Sequence, residues 1–273
     1  MSVPPTPLSP PAGAPQFLNV GAGADERAIA YRAFAGAAPS LLWLGGYGSD
    51  MKGTKAERLA ALAAREGWGF CRFDYSGHGE SGGRFVEGTI SRWRAEAAAV
   101  LEATLGGPVI LVGSSMGAWI ALRLVAELRR AGSDRVSGLL LLAPAPDFTR
   151  RLVVPNLSDA QRQDLETKGF CSEPSAYGPP MIYSRALIED GEANLVMEGL
   201  IETGCPVHII QGMEDPDVPF SHALDLVTLL PADGVTLTLV KDGDHRLSRD
   251  SDLALIERAV DALVAEARAA HAR

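Results

Sequence analysis

The chain has 273 residues, of which 47% are hydrophobic, so it is long enough for one large core and too apolar to be disordered. Its formal charge of −9 argues against binding to nucleic acid or to an anionic membrane surface. Cys71, Cys171 and Cys205 form no CxxC pair, so neither a zinc site nor a disulfide framework is expected. No apolar run is long enough for stable membrane insertion, and we expect a protein of the reducing cytoplasm.

The first 16 residues predict an extended or disordered tail, because six of the first 15 are prolines. This segment has neither the basic and apolar regions of a secretory signal nor the arginine-rich pattern of a transit peptide. The folded domain is expected to cover residues 17–273.

Short apolar runs alternate with longer helical patterns along this domain. Strands are predicted at residues 17–20, 28–34, 41–44, 69–75, 108–113, 136–143, 207–211 and 235–240. Helices are predicted at residues 54–66, where Thr54 and Glu57 form a capping box, and at 90–105, 116–130, 221–230 and about 251–269. The alternation predicts βαβ units in a mainly parallel sheet that is covered on both faces.

The alternation stops between residue 144 and about residue 204. This stretch contains one short helix pattern, with Ser158 and Gln161 at its start and Gly169 at its end. We expect it to form a small cap above the sheet.

The strongest local motif is Gly113-Ser114-Ser115-Met116-Gly117, which fits G-x-S-x-G between a predicted strand and a predicted helix. A nucleophilic serine must project from a strained turn, and flanking glycines remove the Cβ atoms that would collide there. The motif predicts Ser115 as the nucleophile, and the alternative is a plain Gly/Ser-rich turn. The Met116 N–H, at a helix N-terminus, is a predicted oxyanion donor.

A serine hydroxyl needs a base at neutral pH, and the chain has five histidines. Residue His208 falls within a predicted strand, His78 in a loop, His222 at a helix start and His271 in the C-terminal tail. His245 follows the last strand in the polar loop KDGDHR, from which an imidazole can reach over the sheet edge. We predict His245 as the base, because it also fits the chain order serine, acid, histidine. The alternative is a solvent-exposed loop histidine.

The acid partner is expected in the segment QGMEDPDVP, which offers Glu214, Asp215 and Asp217. Asp215 occupies the usual position for the acid that holds the histidine in its correct tautomer. Asp217 is the alternative, since a loop can shift its acid by two residues. Both carboxylates could also belong to a plain acidic turn.

A second oxyanion donor is expected in the loop GGYGSD after the strand at residues 41–44. Its glycines let backbone amides approach a substrate carbonyl closely. The N–H of Tyr47 is the predicted donor, and that of Gly46 is the alternative.

Several segments resemble a known family. They are GGYGSDMKGTKA (45–56), FDYSGHGESGGRFVEGTISRW (73–93) and VGSSMGAW (112–119), with GMEDPDVP and DGDHR at the acid and base positions. These segments are similar to small serine esterases of the α/β-hydrolase superfamily, the palmitoyl-protein thioesterase and mycophenolic acid acyl-glucuronide esterase subfamily. The N-terminus departs from the mitochondrial member, since it lacks a transit-peptide pattern.

The resemblance implies the α/β-hydrolase fold, a triad of Ser115, Asp215 and His245, and an oxyanion hole framed by Tyr47 and Met116. With the motifs, it predicts hydrolysis of carboxylic esters or thioesters through an acyl-enzyme, without a metal or organic cofactor. The substrate would be a small molecule or an acylated protein. The alternatives are a non-catalytic ligand-binding protein of this fold and another serine-triad hydrolase such as a peptidase.

The substrate contacts are predicted at Gly46 and at apolar residues of the cap, namely Phe148, Tyr177 and Met181, with Leu152, Phe170 and Tyr183 as further candidates. The alternative is that these cap residues form only a small core of their own. Composition and motifs leave the acyl donor, the choice between ester and thioester, and the oligomeric state open.

Overall fold

The computed structural model describes residues 13–174, 180–231 and 234–271. Most of the predicted tail lies outside these residues, and the first strand begins at Gln16. In chain order the strands are β1 (Gln16–Val20), β2 (Arg27–Phe34), β3 (Ala37–Leu44), β4 (Trp68–Phe73), β5 (Val109–Ser114), β6 (Val136–Leu142), β7 (Phe170–Glu173), β8 (Met181–Ser184), β9 (Val207–Gly212) and β10 (Val235–Val240). Every predicted strand is present, although several begin or end at different residues.

Eight of the described strands form one sheet, with the strand order β1-β2-β4-β3-β5-β6-β9-β10. The β1–β2 and β2–β4 pairs are antiparallel, and the other neighbours are parallel. The central strands β5 and β6 are almost completely buried because both faces of the sheet are covered, which explains their continuous apolar sequences. The carboxyl ends of the parallel strands meet at one edge, where open α/β sheets bind ligands.

Helices cover both faces of the sheet. They are α1 (Thr54–Glu66), α2 (Ile90–Thr104), α3 (Met116–Arg130), α4 (Asp159–Thr167), α5 (Arg185–Ala193), α6 (Phe220–Leu229) and α7 (Asp250–His271). Buried residues of α1 and α7 share one core, and those of α2, α3 and α6 share the other. Among the described residues, no helix combines the length and apolar character needed to span a bilayer.

The predicted capping box of α1 is wrong. Gly53 is the residue at the cap, and no side chain caps the helix. Thr54 is already helical, while the carboxylate of Glu57 accepts a hydrogen bond from Arg72 at 2.8 Å. Arg72 is buried on β4, so its guanidinium attracts this carboxylate away from the helix end.

The stretch between β6 and β9 forms the expected cap, with more structure than the sequence predicted. Helix α4 begins at the predicted capping box, in which Ser158 Oγ accepts the N–H of Gln161 at 3.3 Å. The hairpin of β7 and β8 and the helix α5 were not predicted, because segments of four and nine residues are too short to show a clear period. Within α5, Gly191 packs against Thr149 so closely that a Cβ atom would overlap its hydroxyl.

Candidate active site

Ser115 lies in a sharp turn between β5 and α3. Its backbone has φ 54° and ψ −117°, a strained conformation for a residue with a side chain. A Cβ atom at Gly117 would overlap the Leu44 carbonyl oxygen, and one at Gly113 would lie 2.5 Å from the Gly117 oxygen. The two motif glycines therefore allow β3, β5 and α3 to pack closely around the serine.

A hydrogen-bonded path leads from this serine to a buried carboxylate. His245 Nε2 lies 3.1 Å from Ser115 Oγ, and His245 Nδ1 lies 2.7 Å from Asp215 Oδ2. The side chain of Asp215 has no exposed surface, whereas 18% of the His245 side chain is exposed. An Nδ1–H that donates to the carboxylate leaves the Nε2 lone pair directed at the serine hydroxyl.

Further donors hold the carboxylate of Asp215 in place. Its Oδ1 accepts the backbone N–H groups of Asp217 at 2.9 Å and Val218 at 2.8 Å, and its Oδ2 also accepts Gln211 Nε2 at 3.1 Å. These contacts fix the orientation of the carboxylate that faces His245. Asp217, the alternative acid, is exposed and makes no side-chain hydrogen bond to His245 in the described structure.

Oxygen and nitrogen atoms of Asp215, Asp217 and His245 approach one another within 4.8 Å, as ligands of a metal ion would. However, both ring nitrogens of His245 and both oxygens of Asp215 already take part in the hydrogen bonds described above. This donor set is better suited to proton transfer than to metal binding.

Two glycines that the motif search did not single out bring the acid and the base together. A Cβ atom at Gly212 would overlap the carbonyl oxygen of Gly243, so the end of β9 and the loop after β10 touch at these residues. The contact is continued by the Glu214 N–H, which donates to the Gly243 oxygen at 2.9 Å. A glycine in each loop was the available sequence signal for this close approach.

The loop after β3 lies against the nucleophile. A Cβ atom at Gly46 would lie 3.4 Å from Ser115 Cβ, and Met116 begins α3 on the other side of the serine. The predicted oxyanion donors therefore belong to the two segments that flank Ser115. The side chain of Tyr47 turns to the cap, where its hydroxyl donates to the Ile182 carbonyl and its ring stacks on Tyr183.

A cavity of about 350 Å³ opens beside Ser115 and His245. Gly46 and Tyr47 line it, together with polar residues of the loop after β3, the start of α1 and the His245 loop, namely Ser49, Asp50, Thr54, Lys55, Arg246 and Ser248. Its described wall is more polar than the apolar acyl pocket that the sequence predicted.

The predicted substrate contacts of the cap have different surroundings. Phe148 is buried in an aromatic cluster, with its ring centroid 5.6 Å from those of Trp119 and Tyr47, and does not line the cavity. Met181 packs over Gly48, and its terminal methyl would lie 3.4 Å from a Cβ atom there. Tyr177 lies outside the described residues. Phe148 thus belongs to the core that joins the cap to the sheet.

Lys55 was not predicted as a site residue. It stands in the first turn of α1, lines the cavity, and donates from Nζ to the carbonyl oxygen of Arg246, the residue after His245. Burial lowers the pKa of Lys55 to about 8. This side chain connects α1 to the loop that carries the candidate base.

His78 lies in a loop, as predicted, and is buried there, with 4% of its surface exposed. Its Nδ1 donates to the Ser76 carbonyl at 3.1 Å, and its Nε2 accepts the Gly48 N–H at 3.1 Å. Burial lowers the pKa of His78 from 6.5 to about 4, so the ring is neutral at physiological pH.

This lowered pKa predicts that stability depends on pH. Between about pH 4 and pH 6.5 the unfolded chain binds a proton at His78 that the folded chain does not, so the free energy of unfolding falls as the pH falls. We expect His78→Gln to remove about 2 kcal/mol of this dependence between about pH 7 and about pH 4.5. Urea unfolding at about pH 7 and about pH 4.5 measures it, with His208→Gln as the control. Equal pH dependence in the wild type and His78→Gln would contradict the expectation.

The chain is similar to known proteins over most of its length. A model of the alpha/beta hydrolase family matches residues 36–266, and the chain belongs to that family. It is 31% identical to the palmitoyl-protein thioesterase ABHD10, mitochondrial, of Homo sapiens over 250 residues, which cover 91% of this chain and 79% of the human protein. The resemblance inferred from the motifs is therefore confirmed.

Two solved structures are similar over nearly the whole chain. A provisionally named hydrolase from Agrobacterium vitis S4 shares 56% identity with a TM-score of 0.89, covering 92% of this chain and 98% of its own. Alpha/beta hydrolase domain-containing protein 10 from mouse shares 30% identity with a TM-score of 0.82, covering 93% and 99%. The predicted fold class is confirmed, and family and relatives together support a hydrolase activity.

Proposed function

We propose that this chain is a serine hydrolase that cleaves carboxylic esters or thioesters through an acyl-enzyme intermediate. The observation that carries the proposal is the continuous hydrogen-bonded path from Ser115 through His245 to buried Asp215, beside an open cavity. The human and mouse relatives are named as palmitoyl-protein thioesterases, which favours acyl thioesters among the substrates. Both small acyl esters and acylated proteins fall within this class, and a cytoplasmic location remains a prediction.

In the first half of the reaction, Ser115 Oγ attacks the carbonyl carbon while His245 Nε2 takes the hydroxyl proton. The carbonyl π electrons move to oxygen and form a tetrahedral oxyanion. When the intermediate collapses, the bond to the leaving oxygen or sulfur breaks, and His245 returns the proton to the departing alcohol or thiol. Buried Asp215 stabilises the imidazolium between these two transfers.

The oxyanion is stabilised by backbone donors on either side of Ser115. The Met116 N–H at the start of α3 is one donor, and the Tyr47 or Gly46 N–H is the other. Loss of one such donor costs about 3 kcal/mol of transition-state stabilisation. The strained backbone conformation of Ser115 directs its side-chain oxygen out of the turn.

In the second half, a water molecule replaces the leaving group. His245 Nε2 accepts a proton from this water, whose oxygen attacks the acyl carbon of the Ser115 ester. Collapse of the second tetrahedral intermediate breaks the bond to Ser115 Oγ, which recovers its proton from His245. The products are a carboxylic acid and the free enzyme.

The test is a panel of acyl donors that differ in one feature at a time. We expect turnover of p-nitrophenyl acetate and butyrate, and a higher kcat/KM for S-ethyl thiobutyrate than for ethyl butyrate, because a thiolate leaves more easily than an alkoxide. Chain length is then varied in p-nitrophenyl esters and acyl-CoA. Absence of turnover for every ester and thioester, with binding retained, would support the ligand-binding alternative, and cleavage of peptides alone would support a peptidase.

A further inference from the structure

The loop that carries the candidate oxyanion donors is a tight turn. The Ser49 N–H donates to the Gly46 carbonyl at 3.2 Å, and Ser49 Oγ donates to the same oxygen at 2.8 Å. Within the turn, Gly48 has φ +69°, a conformation that residues with side chains rarely adopt. The Gly46 carbonyl and the Tyr47 N–H belong to one peptide unit, so these bonds hold the Tyr47 amide directly. Its direction also depends on the next peptide unit, between Tyr47 and Gly48.

One of those peptide units is held by a side chain from another part of the chain. The Gly48 N–H, immediately after Tyr47, donates to His78 Nε2 at 3.1 Å. Tyr47 itself is held from the cap, through its hydroxyl bond to the Ile182 carbonyl. The predicted donor amide thus lies between two attachments, one to the imidazole below the loop and one to the cap.

Hydrogen bonds and ring contacts fix the orientation of the His78 imidazole. Its Nδ1 donates to the Ser76 carbonyl at 3.1 Å, and its ring packs edge-on against Phe85 and Trp93, with centroids 4.9 Å and 5.2 Å away. Trp93 Nε1 donates to the same Ser76 carbonyl at 3.1 Å. Only the tautomer with a proton on Nδ1 leaves Nε2 free to accept the Gly48 N–H.

We propose that His78 is a positioning residue for the oxyanion hole, which acts through the Gly48 N–H on the peptide groups that receive the oxyanion. The inference rests on the proposed acyl-transfer function. Without the acceptor on His78, the loop keeps only its attachment to the cap through Tyr47, and the donor amide is no longer held in one direction. The oxyanion forms only in the transition state, so the loss falls on kcat rather than on KM.

The experiment compares His78→Leu, which keeps apolar bulk without an acceptor, with His78→Gln, whose amide oxygen can replace Nε2. With p-nitrophenyl butyrate we expect His78→Leu to lower kcat about 100-fold and to change KM less than about threefold. A trifluoromethyl ketone, which forms an oxyanion with the serine, should bind more weakly by the same factor as kcat/KM. A methyl ketone of the same chain length should bind to His78→Leu as tightly as to the wild type. The kcat of His78→Gln should be at least about tenfold higher than that of His78→Leu.

His208→Gln is the matched control, because His208 lies on β9 near Glu266 and away from the loop. Wild-type kcat in His78→Leu would overturn the proposal. So would a loss of Tm that His78→Gln restores without restoring kcat, since that pattern describes a purely structural role. An inactive wild type would instead refute the proposed function. The two outcomes are distinguishable, because the proposal for His78 is tested only against an active wild type.

Discussion

Ser115→Ala is expected to lower kcat for p-nitrophenyl butyrate by roughly 10⁶-fold, the scale of loss when the nucleophile of a serine triad is removed. The structure gives a physical reason for so large an effect, because Ser115 Oγ is the hydroxyl that lies 3.1 Å from His245 Nε2. Alanine at this position keeps the backbone and the oxyanion amides but offers no atom for acylation. The remaining rate would reflect water attack aided by those amides alone.

The measurement should separate loss of chemistry from loss of fold. Ser221→Ala changes an exposed serine of α6 and serves as the matched control, with wild-type kcat expected. Tm of Ser115→Ala should stay close to that of the wild type, and a fluorophosphonate probe should label the wild type and not the variant. Equal turnover by the wild type and Ser115→Ala would remove the basis for the proposed mechanism.

Asp215→Asn should lower kcat by about 10⁴-fold, because an amide at this position disturbs the tautomer of the histidine. Oδ1 of Asp215 accepts two backbone N–H groups, and Oδ2 accepts His245 Nδ1 and Gln211 Nε2. An asparagine NH₂ group would face donors in either orientation. In the orientation that satisfies the backbone N–H groups, the asparagine NH₂ points at His245 Nδ1. Nδ1 must then accept a hydrogen bond, so the imidazole proton moves to Nε2, which faces Ser115.

Asp217→Asn tests the alternative acid in the same loop. The Asp217 backbone N–H supports Asp215, and asparagine retains this group. We therefore expect Asp217→Asn to lose less than about tenfold in kcat, well below the loss expected for Asp215→Asn. The reverse order of effects would assign the acid to Asp217 and contradict the path seen in the structure.

The strands and the larger helices could be predicted because their signals are local and long. The continuous apolar runs of β3, β5 and β6 follow from burial on both faces, and α3 has the predicted bounds Met116–Arg130. The β7–β8 hairpin could not be predicted, since each strand has only four residues. The cap of α1 was assigned wrongly because Glu57 pairs with Arg72, a partner from a separate strand.

Within the site, the roles of His78 and Lys55 could not be predicted from the sequence either. Both stand in segments that the motif search had already singled out by resemblance, yet neither residue's role follows from its neighbours in the chain. His78 is assigned by its contact with Gly48, and Lys55 by its contact with the Arg246 carbonyl. Phe148, predicted as a substrate contact, packs against Trp119 of α3, a partner that its own neighbours in the chain do not indicate.

The strands, the strained turn at Ser115 and the short lists of acids and bases could be read from the sequence alone, because these features depend on residues close together in the chain. The tertiary structure decided which members of those lists meet. The end of β9 touches the loop after β10 where Gly212 and Gly243 leave room, and this contact brings Asp215 and His245 together. Contact between distant loops depends on how the whole sheet twists and packs, which no local spacing of residues encodes.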